Sequence, residues 1–193
     1  MISAVILAAG QSRRMGQPKM LLPWGERTVI GQVITVFLRA GVEDVTVVTG
    51  AAREQVEQAI QSFPVRQVYN SEYQHGEMLS SLLLGLKTLP KDVDGTFIAL
   101  GDQPQIQEST VRLLCQRYES RRSSLIVPSY QYRRGHPWLV TRPLWSELLA
   151  LQAPQSPRDF LNQHAGEIDY VDIGTASVLA DLDTPADYRN SHP

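Results

Sequence analysis

The chain has 193 residues, 42% hydrophobic and 20% charged, with a formal net charge of -2 and a single cysteine. This is the composition of a folded globular protein, most simply one domain over 1–193, and it excludes a disordered chain. A near-neutral charge gives no general attraction to nucleic acid or an anionic membrane, and one cysteine excludes an internal disulfide or a multi-cysteine zinc site.

Residues 2–7 (ISAVIL) read as a buried central strand without alternation. It has no basic residue before it and runs into a Gly/Arg loop, unlike a secretory signal. No stretch approaches the roughly 18 apolar residues of a membrane span. The expectation is a cytoplasmic protein. The loop lasts to about Gly25. Ile30, Val33, Ile34 and Phe37 then repeat at helical spacing, with Gly41 as a stop. Strands follow at 45–50 and 65–69, with a helix at 53–61 between them. A polar loop carrying Asn70, His75 and Gly76 leads into a helix over 78–89. Residues 95–100 form a strand that ends at Gly101-Asp102.

Residues 106–120 are helical. Val111, Leu114, Cys115 and Tyr118 share one helix face, which makes Cys115 a core residue and not a nucleophile. A strand at 124–129 precedes a hairpin or crossover at 130–140 with a glycine turn. Short helices at 142–151 and 156–163 follow, then a strand at 168–173. The chain ends in a helix capped by Thr184 before Pro185. Strands alternating with helices predict a doubly wound α/β fold, a mainly parallel sheet with helices on both faces. Ligands of such sheets bind at the carboxyl ends of the strands, the rim to which the first loop and Asp102 both belong.

The first loop reads LAAGQSRRMGQPKMLL over 7–22. Residues 1–25 contain Arg13, Arg14 and Lys19 but no Asp or Glu. Glycines let backbone approach an anion, Arg14 offers a planar fork and Lys19 a mobile point charge. The spacing fits neither the P-loop nor the dinucleotide fingerprint. A solvated basic loop and a polyphosphate site both remain open from this stretch alone. Asp102, after a buried strand, suits either a turn or a Mg²⁺ ligand. Asp183 suits either a helix cap or a second carboxylate on the same metal. Gly76, Ser80 and Ser81 form a polar edge that could meet a base or ribose. His136, beside a glycine in GHP, is either structural or on a substrate side. His75, His164 and His192 lack metal-ligand spacing.

With these motifs in order, the sequence resembles the nucleotidyltransferases of the MobA-like superfamily, and within it the molybdenum cofactor cytidylyltransferases. LAAGQSRRMGQPKMLL matches the superfamily's first motif almost intact. GDQP (101–104), the segment from Asn70 to Ser81, GHP (135–137) and Asp181-x-Asp183-Thr184-Pro185 recur in the family's order. The resemblance implies a Rossmann-like nucleotide-diphospho-sugar transferase fold. It also implies that Leu7, Ala8, Ala9, Gly10, Gly76, Ser80 and Ser81 border the nucleotide. Arg14 and Lys19 would bind the triphosphate, and Arg14, Lys19 and Asp102 would be the catalytic residues. Asp102 and Asp183 would hold Mg²⁺, and His136 would lie on the acceptor side. The implied reaction transfers CMP from CTP to the phosphate of molybdopterin. LAAG with GDQP resembles the cytidylyl branch, whereas the guanylyl branch usually shows LAGG with GDMP. Trp138, after GHP, departs from the family's small aliphatic residue and would reshape the acceptor pocket. Two other readings stand beside this one. The first is a nucleotidyltransferase using GTP or another NTP with a different acceptor, such as a sugar phosphate. The second is a non-catalytic carrier that delivers the cofactor to a molybdenum hydroxylase.

Overall fold

The computed structural model describes every residue but Gly76, and Glu77 in its backbone only. The strands, in chain order, are β1 (Ile2–Ala8), β2 (Pro23–Trp24), β3 (Arg27–Thr28), β4 (Asp44–Thr49), β5 (Arg66–Tyr69), β6 (Gly95–Leu100), β7 (Leu125–Tyr130), β8 (Arg133–Arg134), β9 (Trp138–Thr141) and β10 (Asp169–Asp172). The helices are α1 (Val29–Arg39), α2 (Arg53–Ile60), α3 (Glu77–Lys87), α4 (Glu108–Arg121), α5 (Trp145–Ala150), α6 (Pro157–Gln163) and α7 (Pro185–Ser191).

β1 lies at the centre of the main sheet, parallel to β4 on one side and β6 on the other, with Leu7 opposite both Val48 and Leu100. The order across the sheet is β10-β7-β9-β6-β1-β4-β5, with β8 paired to β7. Successive strand side chains face opposite sides, and β1 feeds two cores. Ala4, Ile6 and Ala8 pack with α1, α2 and α4 through Ile34, Phe37, Ile60 and Leu114. Val5 and Leu7 pack on the other face with α3, α5 and α6 through Leu82, Leu148 and Phe160. Burial on both faces explains why β1 reads as an unbroken apolar run. The expected α/β fold, mainly parallel with helices on both faces, is what forms.

The departures from parallel order are β8, antiparallel to β7, and β9, which runs antiparallel between β6 and β7. The chain reverses after β7 at Gln131 and Tyr132, whose φ values of 48° and 62° make a tight two-residue hairpin turn. The turn therefore sits four residues before Gly135, where the sequence pattern had suggested a glycine turn. The segment from 142 also divides: a 3₁₀ turn (Arg142–Leu144) starting next to Pro143 precedes α5. β2 and β3 form a separate small hairpin. No helix among the described residues is long and apolar enough to cross a membrane.

Candidate active site

β1 ends at Ala8, and the basic loop leaves the carboxyl edge of the sheet there. Gly16 adopts a φ of +73°, open to glycine at little cost. The carbonyl of Ser12 accepts from the amides of Met15 (3.0 Å) and Gly16 (3.1 Å), and its Oγ accepts from the Lys19 amide at 3.1 Å. The loop thus folds on itself and turns the Lys19 side chain back to the rim. β6 ends beside it. A Cβ at Gly101 would stand 3.0 Å from the Leu7 carbonyl oxygen and 3.1 Å from Met20 Sδ, so the two strand ends meet this closely only with glycine there.

Lys19 is the centre of the site. Its ammonium donates to Asp102 Oδ2 and, at 3.2 Å, to Asp183 Oδ1. Asp183 Oδ2 also accepts from Arg14 at 2.9 Å. Burial alone would depress the Lys19 pKa, but attraction and hydrogen bonding to Asp102 and then Asp183 outweigh it and hold it above the ordinary lysine value. The ammonium is therefore charged throughout the physiological range. Asp181 stands behind this pair, accepting from Gln103 Nε2 at 2.5 Å. Burial raises its pKa, the charges of Asp102 and Asp183 add to that, and the Gln103 hydrogen bond opposes it.

The carboxylates come together although 81 positions separate them, because the C-terminal segment is stitched to the rim. The Leu182 amide donates to the Asp102 carbonyl at 3.1 Å. Fully buried Leu182 packs into a cluster with Met15, Leu22, Trp24 and Val29. Tyr188 adds a hydrogen bond from its hydroxyl to the Pro23 carbonyl at 2.6 Å. The α7 cap is Thr184, which forms a capping box with Asp187. Asp183 does not cap, and its carboxylate faces Lys19 and Arg14 instead.

A cavity of about 480 Å³ opens over these groups, and Leu7, Ala9, Gly10, Lys19, Ser81 and Asp102 all line it. The other residues singled out by the sequence are distributed differently. Ala8 is fully buried, with its methyl in the core. Arg14 is 72% exposed and reaches the site only through Asp183. Its neighbour Arg13 lines the cavity, held at Nε by Gln11 at 2.9 Å. Ser80 and Ser81 both accept from Asn70 Nδ2, at 2.8 and 2.9 Å, which fixes the polar start of α3. Gly76 lies outside the described residues. Tyr73 and Met78 line the cavity without any prior signal in their spacing.

His136 lines a second cavity, of about 670 Å³, and Met78 borders both. Its ring stacks on Trp138 with centroids 4.8 Å apart and planes at 21°. Trp138 is thus the floor under His136. Burial lowers the His136 pKa to about 4, so the imidazole is neutral at physiological pH. Its Nε2 is buried without a hydrogen-bond partner among the described residues. Cys115 packs half-buried against the core, and burial pushes its thiol up to about 11, which is inert as a nucleophile at neutral pH.

No cluster of three or more His, Cys, Asp or Glu side chains among the described residues could cage a metal. The available donors are two carboxylates converging on one cation, Lys19. That set fits Mg²⁺, which binds through one or two carboxylates and completes its shell with phosphate and water.

Residues 4–168 match the MobA-like NTP transferase domain. Nicotine blue oxidoreductase of Paenarthrobacter nicotinovorans is 32% identical over 190 residues, 95% of this chain and 92% of that protein. Molybdenum cofactor cytidylyltransferase of Escherichia coli K12 is 28% identical over 187 residues, 97% and 93% of the two chains. The crystal structure of Rv0371C from Mycobacterium tuberculosis H37Rv in complex with manganese superposes with a TM-score of 0.84 at 27% identity, covering 99% of this chain and 97% of that one. The mixed, mostly parallel sheet is the nucleotide-diphospho-sugar transferase fold. The chain belongs to the MobA-like NTP transferase family and is an enzyme of the nucleotidyltransferase kind.

Proposed function

We propose that the enzyme transfers CMP from CTP to the phosphate of a molybdopterin-type acceptor and releases pyrophosphate. The observation that carries this reading is the convergence of Asp102 and Asp183 on Lys19 beside the acid-free loop. An oxygen of the acceptor phosphate attacks the α-phosphorus of CTP in line. The bond from that phosphorus to the oxygen bridging to the β-phosphate breaks, and its electron pair leaves with pyrophosphate. A phosphate monoester has a second pKa near 6 and is already largely the nucleophilic dianion at neutral pH. The reaction therefore needs no general base, and His136, lowered by burial to about 4, is too weak to serve as one.

The difficulty is charge, because two anions must meet. Lys19 donates to the phosphates of CTP, and Arg13 and Arg14 bring two further cations to the loop. Leu7, Ala9 and Gly10 border the nucleotide on the strand side, and Ser81, steadied by Asn70, borders it on the α3 side. Asp102 and Asp183 would hold Mg²⁺, which when bound offsets phosphate charge and polarises the phosphoryl oxygens. Each protein cation then serves as a preorganised electrostatic partner for charge on the transferring group. The acceptor enters past Met78 from the side of His136.

The cytidylyltransferase relative and the LAAG and GDQP motifs support CTP and the molybdopterin acceptor over other pairs. The oxidoreductase relative belongs to the same scaffold, but paired carboxylates around a lysine favour polyphosphate chemistry in this chain. The test is pyrophosphate release by purified protein with Mg²⁺, molybdopterin and each of CTP, GTP and ATP. Release with CTP that stops on EDTA addition supports the proposal. Release with another nucleotide or only with a sugar phosphate replaces substrate and keeps the mechanism. Molybdopterin binding with no nucleotide consumed would make the protein a carrier.

A further inference from the structure

The second cavity carries a charge that the reacting phosphate does not account for. Arg133, Arg134 and Arg158 line it, and among the described residues no Asp or Glu does. None of the three takes part in an ion pair among the described residues. Arg134 is nonetheless fixed in place, donating from Nε to the Tyr170 hydroxyl and from Nη1 to Asn162 Oδ1, both at 2.8 Å. Both partners are neutral, so the guanidinium is oriented with no acidic partner among the described residues. Three arginines lining one cavity give it a positive potential that favours an anion. The planar His136–Trp138 stack forms a wall beside them, and Tyr132 projects fully exposed from the tip of the β7–β8 hairpin.

These three arginines do not line the cavity of Lys19 and Asp102, and among the described residues Met78 is the one common to both. An acceptor lying across Met78 with its phosphate near Asp102 therefore extends its far end among the arginines. We infer that Arg133, Arg134 and Arg158, beside the His136–Trp138 stack, form a second anion-binding site that holds an anionic group at the far end of the acceptor. The identity of this ligand as the acceptor rests on the nucleotidyltransferase reading. The anion site itself rests on the arginines alone.

The test is calorimetric titration of the full chain with inorganic phosphate after saturation with Mg²⁺ and CTP, for the wild type, Arg133→Gln and Arg158→Gln. Arg134 is left intact because it also braces Tyr170 and Asn162. A charge-assisted hydrogen bond contributes enough for about a tenfold loss of phosphate affinity in each variant, with CTP affinity unchanged. In the transfer assay the same variants should raise the acceptor KM about tenfold with kcat within about twofold. Arg133→Lys, which keeps the charge, should recover part of the loss. Equal phosphate affinity in wild type and both variants, or no phosphate uptake by the wild type, overturns the inference. Failure of the wild type to bind CTP would instead strike the nucleotidyltransferase reading, and titration with phosphate alone would still judge the arginine site.

Discussion

Lys19 holds together charges that would otherwise repel. Its side chain is only 10% exposed, and an ammonium so enclosed persists because Asp102 and Asp183 both accept from it. Removing one partner of such a buried pair leaves uncompensated charge. Lys19→Met should therefore lower unfolding free energy by about 3 kcal/mol, read from the midpoint of a urea titration. Asp102→Ala should cut pyrophosphate release by roughly a thousandfold and leave the circular dichroism spectrum unchanged. Full turnover in that variant would sink the assignment. His136 gives a prediction in pH. Its pKa falls from 6.5 to about 4 on folding, so between these values the unfolded chain binds the proton and the folded one does not. Stability must then decline as pH drops from 6.5 to 4, by roughly 3 kcal/mol for this group. His136→Gln should show a shallower acid-side decline of the melting temperature. An identical slope would refute the burial of the neutral ring.

The elements that assemble the rim are unequal in how openly the sequence announces them. β1, β6 and the loop between β1 and α1 were legible, because buried parallel strands read as apolar runs and the loop motif is contiguous. The adjacent pair Arg13-Arg14 was not resolved by pattern. Two neighbouring loop residues diverge in direction, and only folding shows that Arg13 lines the cavity while Arg14 reaches Asp183. The reversal at 130–140 was legible as a hairpin or crossover, but its turn falls at Gln131 and Tyr132, non-glycine residues whose positive φ no pattern announces. The arginine cavity was hidden for a different reason: Arg158 comes from α6, 24 positions beyond Arg134. The C-terminal segment is where element and site depend on one another most. Leu182 is fully buried under the loop, and Leu182→Ala should cost about 3 kcal/mol in chemical denaturation. It should also reduce turnover, since Asp183 is the next residue. Unchanged turnover in a measurably destabilised Leu182→Ala protein would show that Asp183 does not need this anchor.

At the scale of the whole molecule, the net charge of -2 conceals a basic functional edge. Arg13 and Lys19 line one cavity together with Asp102, and three arginines line the next. This arrangement favours an anionic nucleotide and an anionic acceptor without making the surface generally adhesive to nucleic acid. Single-domain organisation over 1–193 remains our proposal, consistent with two cores that share β1. The central claim is that this rim transfers CMP with a metal held by Asp102 and Asp183. The most direct measurement is pyrophosphate release with Mg²⁺ and molybdopterin, comparing CTP, GTP and ATP, for the wild type and Asp102→Ala. The account predicts release with CTP alone, lost on chelation and lost in the variant. Release that survives both EDTA and Asp102→Ala, or no release with any nucleotide from folded wild-type protein, would contradict it.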